Sequence, residues 1–319
     1  MKLSAATGIY QQRGDSPVHR DLNEVITVLH EIGYDTFDLS LASAERPEFI
    51  LGGEDWKRRV EELGNTAAKL GVTFFQSHLP FVSGNAMAAD PKFREPGYRE
   101  WFFECTRRAY HASHMLGVGW TVLHPLTFPE YNYEARASLE ANHALYDEYV
   151  DLGVRLGVGT ALENLVPPWD RRLGMIYCQH YDQLIELTDS FKSPMVGVCW
   201  DTGHANLSQL NQERALRAVG GRLKVLHIND NHARVRDEHY LPYMGDVDWD
   251  SFFRGLAAIG YDGALSYETG KTSAAAFGSL QLDFIRLAYK NGLYLLEKYE
   301  AARRAAEGLQ EGEEGPAPQ

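Results

Sequence analysis

Apolar positions along the chain follow two alternating periods. Short, largely apolar runs occur at Leu3–Ile9, Tyr34–Leu39, Val72–Ser77, Trp120–His124, Gly159–Glu163, Met195–Trp200, Leu223–Ile228 and Ala264–Glu268. These read as strands buried on both faces. Each is followed by a stretch with apolar residues three or four apart, near 21–32, 54–70, 95–116, 134–156, 179–190, 212–219, 248–259 and 278–298, the spacing of an amphipathic helix. Several of these stretches stop at a glycine, namely Gly33, Gly71, Gly117, Gly157 and Gly260, as helices do when the chain must turn left-handed. Eight consecutive strand–helix units predict an α/β fold, a single (β/α)8 TIM barrel over residues 1–306. A doubly wound open sheet would announce itself by a glycine-rich phosphate loop after the first strand. Arg13, Gly14 and Asp15 stand there instead, which removes support for nucleotide cofactors.

Composition narrows the function classes. The chain has 319 residues, 44 acidic and 31 basic, for a formal net charge of −13. Such a balance disfavours binding to nucleic acid or to an anionic membrane surface. Residues 307–319 are acidic, rich in glycine and proline, and read as a flexible tail. Cys105, Cys178 and Cys199 are too few and too scattered for a disulfide framework or a thiolate zinc site. No stretch reaches the length of a membrane span, and the N-terminus lacks a signal-peptide pattern. The expectation is a cytoplasmic protein, with a homo-oligomer compatible but not specified.

In a barrel the C-terminal strand ends converge on one mouth. Read in order, they supply His78, His124, Glu163-Asn164, Asp201-Thr202-Gly203-His204, His227 and Glu268. Any one of them alone is more simply a helix cap or a satisfied polar group. Together they would place several ionisable groups in one enclosed space at a cost of several kcal/mol, a conflict that a cation removes. Glu163, Asp201, His227 and Glu268 form an oxygen-rich donor set suited to Mn²⁺, Mg²⁺ or Co²⁺, with Zn²⁺ also able to bind.

These residues resemble the sugar isomerase/epimerase superfamily with the xylose isomerase-like barrel, to which endonuclease IV also belongs. The resemblance runs nearly the length of the chain. It is carried by Ala161-Leu162-Glu163-Asn164, by Asp201-Thr202-Gly203-His204, and by the segment from His227 to Trp249. It implies that Glu163, Asp201, His227 and Glu268 hold one divalent metal, that Glu163 and Glu268 act as the acid/base pair, and that His204 contacts the substrate. Family members often have Pro-Gly-x-Gly-x-Ile-x-Trp where this chain has Pro242-Tyr243-Met244-Gly245-Asp246-Val247-Asp248-Trp249. Tyr243 replaces the first glycine, which puts the shape of that loop in question. The endonuclease branch holds three zinc ions, and His78, His124, Glu163, Asp201, His204, His227, Asp237, His239 and Glu268 have counterparts among its ligands.

The expected substrate is a small carbohydrate, with His78, His124 and Arg236 as further substrate contacts and Asp237 and His239 as a second-metal or loop pair. Arg234 shares the loop of Arg236. The commoner fate of such arginines is solvation or pairing with a neighbouring acid. Trp56, Trp169 and Trp200 are candidates for an apolar wall, although core packing is the commoner use of tryptophan. Nothing marks Cys199 as a nucleophile. Three readings stand: a metal-dependent sugar isomerase or epimerase, a multinuclear zinc phosphoesterase on abasic DNA, and a metal-dependent lyase or dehydratase that expels a β-leaving group from the same enediolate. Charge ranks sugar chemistry first.

Overall fold

The computed structural model describes residues 1–313 except 14–15, 17–18, 43–48, 83–86, 88–89, 130–132, 169–174, 234–235, 277 and 279. Arg234 and Trp169 therefore lie outside the described residues. Eight strands form one sheet: β1 Lys2–Ala6, β2 Thr36–Ser40, β3 Thr73–His78, β4 Trp120–Leu123, β5 Gly159–Glu163, β6 Val196–Asp201, β7 Leu223–His227 and β8 Ala264–Tyr267. Their spatial order is β7-β6-β5-β4-β3-β2-β1-β8, with every ladder parallel. The sheet closes through a parallel bridge between Ile228 and Tyr267. There the Ile228 amide donates to the Ser266 carbonyl at 2.7 Å and the Glu268 amide to the Ile228 carbonyl at 3.1 Å. The TIM barrel expected from the pattern is the fold.

Long helices follow the strands in turn: α2 Leu22–Ile32, α3 Trp56–Leu70, α4 Tyr98–Met115, α5 Ala135–Leu156, α6 Tyr181–Ser190, α8 Gln212–Val219, α9 Trp249–Ala258 and α11 Leu280–Glu313. Their inner faces and the outward side chains of the strands make the main core, in which Val25, Ile26, Leu29, Phe37, Leu39 and Phe252 are fully buried. Short helices α1 Gly8–Gln11, α7 Thr202–Leu207 and α10 Gly270–Ala275 sit in the loops after β1, β6 and β8. The first strand thus ends at Ala6 rather than at Ile9, because an apolar run of this length packs equally well as a buried helical turn. The last helix runs to Glu313, beyond residue 298, where the apolar spacing fades.

Inside the barrel Val122, Ala161, Cys199 and Val225 form a separate apolar cluster. They are the floor on which the mouth is built.

Candidate metal and substrate site

Each major ligand candidate stands two residues beyond a floor residue. Side chains of a strand return to the same face every second position, so Val122, Ala161, Cys199 and Val225 are followed inward by His124, Glu163, Asp201 and His227. A dry layer therefore supports a polar one on the same strands. Glu268, just past β8, completes the set, and Glu163, Asp201, His227 and Glu268 each offer a ligand atom within 4.8 Å of the others. His227 Nδ1 is 2.9 Å from Glu163 Oε1 and 3.6 Å from Glu268 Oε2.

Asp201 is held from two sides. Its Oδ1 accepts from the His204 amide at 2.7 Å, which caps α7, and its Oδ2 accepts from Asn229 Nδ2 at 2.7 Å. Asn164 clamps the backbone there, its Oδ1 accepting from the Asp201 amide and its Nδ2 donating to the Asp201 carbonyl. Gly203 is required beside it, since a Cβ at that position would lie 1.9 Å from Asn229 Oδ1.

Backbone carbonyls orient three of the histidines. A carbonyl only accepts, so the contacts of His78 Nδ1 with Leu79 O at 2.7 Å, of His204 Nδ1 with Asn164 O at 2.7 Å and of His239 Nδ1 with Glu268 O at 2.6 Å place the proton on Nδ1. Each Nε2 is left for the mouth. His78 Nε2 lies 3.2 Å from His124 Nε2, and His124 Nε2 is 2.9 Å from Glu163 Oε2. His239 Nε2 is 2.7 Å from Asp237 Oδ2, and His204 Nε2 is 3.8 Å from Asp237 Oδ1. His239 adopts a left-handed backbone with φ of 55°, a conformation uncommon outside glycine and frequent at functional positions. The structure thus brings together further groups of ligand spacing, among them His78–His124–Glu163 and His204–Asp237–His239.

His227 is turned the other way. Its Nε2 is 3.1 Å from Asp38 Oδ2, which also accepts from Gln76 Nε2 at 2.8 Å. Neither Asp38 nor Gln76 stood out among the strand ends. The available signal was a carboxylate inside the apolar run of β2, where strand alternation points it into the barrel.

Burial and mutual charge shape the protonation of these groups. Burial lifts the Asp201 carboxyl to about 6. For Glu163 burial acts in the same direction, but the facing His227 and His124 outweigh it and hold the acid well below the usual carboxylate range. Burial opposes a charged His239, yet Asp237 and Glu268 raise it to about 9. His124 is lowered, chiefly by burial. Protonated imidazoles thus offset the clustered carboxylates, a balance that a divalent cation would take over while releasing their protons. Asp237 Oδ1 and Asp38 Oδ1 are buried with no hydrogen-bond partner among the described residues, while Glu163 Oε2 faces the His124 and His78 imidazoles. Orphaned carboxylate oxygens of this kind call for a ligand, so the residues fit a divalent metal.

The mouth opens into a cavity of about 400 Å³ whose wall includes Asp38, His78, His124, His204, Glu268 and Lys271. Lys271 pairs with Asp237 at 2.7 Å, and Phe81, 44 % exposed, lies over His124 with ring centroids 4.8 Å apart. Arg236 is exposed and does not line this wall. Trp200 is fully buried and donates from Nε1 to Gln212 Oε1 at 2.8 Å. Trp56 also belongs to the core. Cys199 lies in the floor, its thiol pushed up by burial. Tyr243 adopts a glycine-like φ of 70°. Its amide and that of Val247, with Trp249 Nε1, donate to the carboxylate of buried Asp230.

Residues 26–288 match the family described as xylose isomerase-like TIM barrel. The first curated relatives are matched over only part of their length, 26 %, 62 % and 30 % of each. A D-psicose 3-epimerase of Ruminiclostridium cellulolyticum is 22 % identical over 273 residues, 85 % of this chain and 86 % of that one. Among solved structures, a D-tagatose 3-epimerase-like protein superposes with a TM-score of 0.71 at 20 % identity, covering 96 % of this chain and all of the other. The IolI protein with a bound zinc atom gives 0.73 at 17 % identity, over 94 % and 99 % of the two chains.

Proposed function

The chain belongs to the xylose isomerase-like TIM-barrel family, and from that premise we propose that it is a divalent-metal-dependent isomerase or epimerase of a small sugar or sugar derivative. The observation that carries this reading is the convergence of Glu163, Asp201, His227 and Glu268 within 4.8 Å at the base of a cavity of sugar-binding size. The relatives named as ketose 3-epimerases point the same way. Three carboxylates with one imidazole favour Mn²⁺, with Mg²⁺, Co²⁺ and Zn²⁺ as alternatives. No helix among the described residues is long and apolar enough to cross a membrane, and three buried free cysteines suit a reducing cytoplasm.

When bound, the ion would stabilise the negative charge that develops on a ketose as the carbon beside its carbonyl loses a proton. Glu163 and Glu268 take and return that proton. They come from β5 and β8, which are separated by two strands on one side of the barrel and four on the other. Their carboxylates therefore approach a substrate from different sides, and one removes the proton while the other supplies a proton to the opposite face. His204 Nε2 reaches the substrate oxygen as a hydrogen-bond partner, and His78 and His124 line the same wall. Lys271 pairs with Asp237 on the same wall and partly neutralises that carboxylate.

The test is a panel of ketoses incubated in D₂O with the Mn²⁺-loaded protein and followed by NMR. The expected result is interconversion of two epimers or isomers, with deuterium entering beside the carbonyl. Loss of water from the substrate would instead establish the lyase reading. Glu268→Gln should bind metal weakly and abolish turnover, and full activity in that variant removes the assignment.

The two flanking ligand groups, His78–His124–Glu163 and His204–Asp237–His239, favour one second reading, a multinuclear zinc phosphoesterase. Metal analysis separates the two: one tightly bound ion per chain supports sugar chemistry, whereas three zinc ions with incision of abasic DNA support the hydrolase.

A further inference from the structure

A second cavity lies behind α1. Gly8 and Gln12 wall the mouth, whereas Gln11, at the end of the same turn, walls a separate space of about 220 Å³. Arg20, Asp21, Arg59 and Glu62 line it as well, and it shares no described residue with the mouth.

Two groups in this cavity lack the partners their chemistry calls for. Gln11 is only 4 % exposed, yet its carboxamide makes no hydrogen bond among the described residues. A buried amide in that state is costly unless something else satisfies it. Arg20 is half-buried and pairs with no carboxylate among the described residues. An unpaired cation withdrawn from water calls for a counter-ion. Its Nη1 donates to the Tyr10 carbonyl at 2.6 Å, to Gln281 Oε1 at 3.0 Å and to the Gln12 carbonyl at 3.4 Å. The guanidinium also lies over the Tyr10 ring, 4.0 Å from its centroid. These contacts fix the guanidinium plane and leave the edge formed by Nε and Nη2 without a partner among the described residues. Such an edge grips a planar carboxylate through two parallel N–H···O bonds.

The remaining wall sets the charge and size of the ligand. Arg59 is already paired with Asp55 at 2.9 Å, so it adds little attraction for an anion. Asp21 and Glu62 oppose a second negative charge, and their oxygens can accept from hydroxyl groups. The volume falls below that of sites for drug-sized molecules. We propose that this cavity binds a small hydroxy-carboxylic acid of single negative charge, its carboxylate on the Nε–Nη2 edge of Arg20 and a hydroxyl on the Gln11 carboxamide.

The probe is glycerate, titrated into the full-length Mn²⁺-loaded protein in a calorimeter. One equivalent should bind, glycerol should not, and inorganic phosphate should bind more weakly. Gln11→Leu keeps the side-chain bulk and breaks no hydrogen bond of the protein's own, so it should weaken glycerate by about tenfold or more at an unchanged Tm. Arg20→Lys keeps the charge, loses the two-pronged grip, and should weaken it to a similar degree. Glu268→Gln, which disables the metal site, should leave glycerate affinity intact. The proposal is overturned if the wild-type protein binds no glycerate, or if binding survives both Gln11→Leu and Arg20→Lys. Loss of binding in Glu268→Gln would place the acid on the metal instead, and phosphate or glycerol binding as tightly as glycerate would refute the ligand class. These outcomes stand apart from the catalytic reading, because none of them measures turnover.

Discussion

Asp38 shows what a single buried carboxylate can do for a neighbour. By accepting a hydrogen bond from His227 Nε2 at 3.1 Å while Gln76 fixes its own position, it keeps the ring's Nδ1 turned toward Glu163 and Glu268. Partners of this type usually change metal affinity by about 10- to 100-fold when removed. Asp38→Asn is therefore expected to weaken Mn²⁺ binding by about that range in a competition titration against a chelating dye, while Asp21→Asn, on the surface, should leave it unchanged. Equal affinity in both variants would show that His227 needs no such support. At this scale the sequence was partly legible. The residues that end strands announced themselves, because a polar side chain after an apolar run is conspicuous. Asp38 and Gln76 did not, since both lie inside runs that read as strand interior, and only the alternation of faces shows where they point. Arg236 is the opposite case: a cation in a mouth loop looks suited to substrate, and here it is exposed and not among the residues that line the cavity.

Strands five to eight were read to within one residue of their ends, because β-type runs bounded by glycine and polar residues leave little freedom. The short helices α1, α7 and α10 were not foreseen, as four to six residues are too few for helical periodicity to emerge. The loop after β7 was the open case, and Asp230 supplies the missing reason. Its carboxylate gathers the Tyr243 and Val247 amides and the Trp249 indole, which holds the turn with Tyr243 at a φ of 70°. Asp230→Ala should leave these donors unpaired and lower stability by about 3 kcal/mol, measured by urea denaturation. Gly203→Ala presses a methyl into Asn229 and should cost about 1–3 kcal/mol, with metal affinity falling as well because Asn229 also holds Asp201. A variant of unchanged stability and affinity would mean that the loop yields more readily than its contacts imply.

Across the whole molecule, charge and closure decide what can approach. With a net charge of −13 the chain repels polyanions, and duplex DNA containing an abasic site is expected to remain intact at moderate salt. Efficient incision under those conditions would reverse the ranking of the two readings. The fold itself was legible because eight repeats of one pattern admit few architectures. The floor of Val122, Ala161, Cys199 and Val225 also sets the traffic through the site. A barrel plugged from below is a blind alley with one doorway, so whatever enters must leave by the route it came in. On the proposed reading, the two isomers of a reversible reaction would queue at the same entrance and compete for the same site.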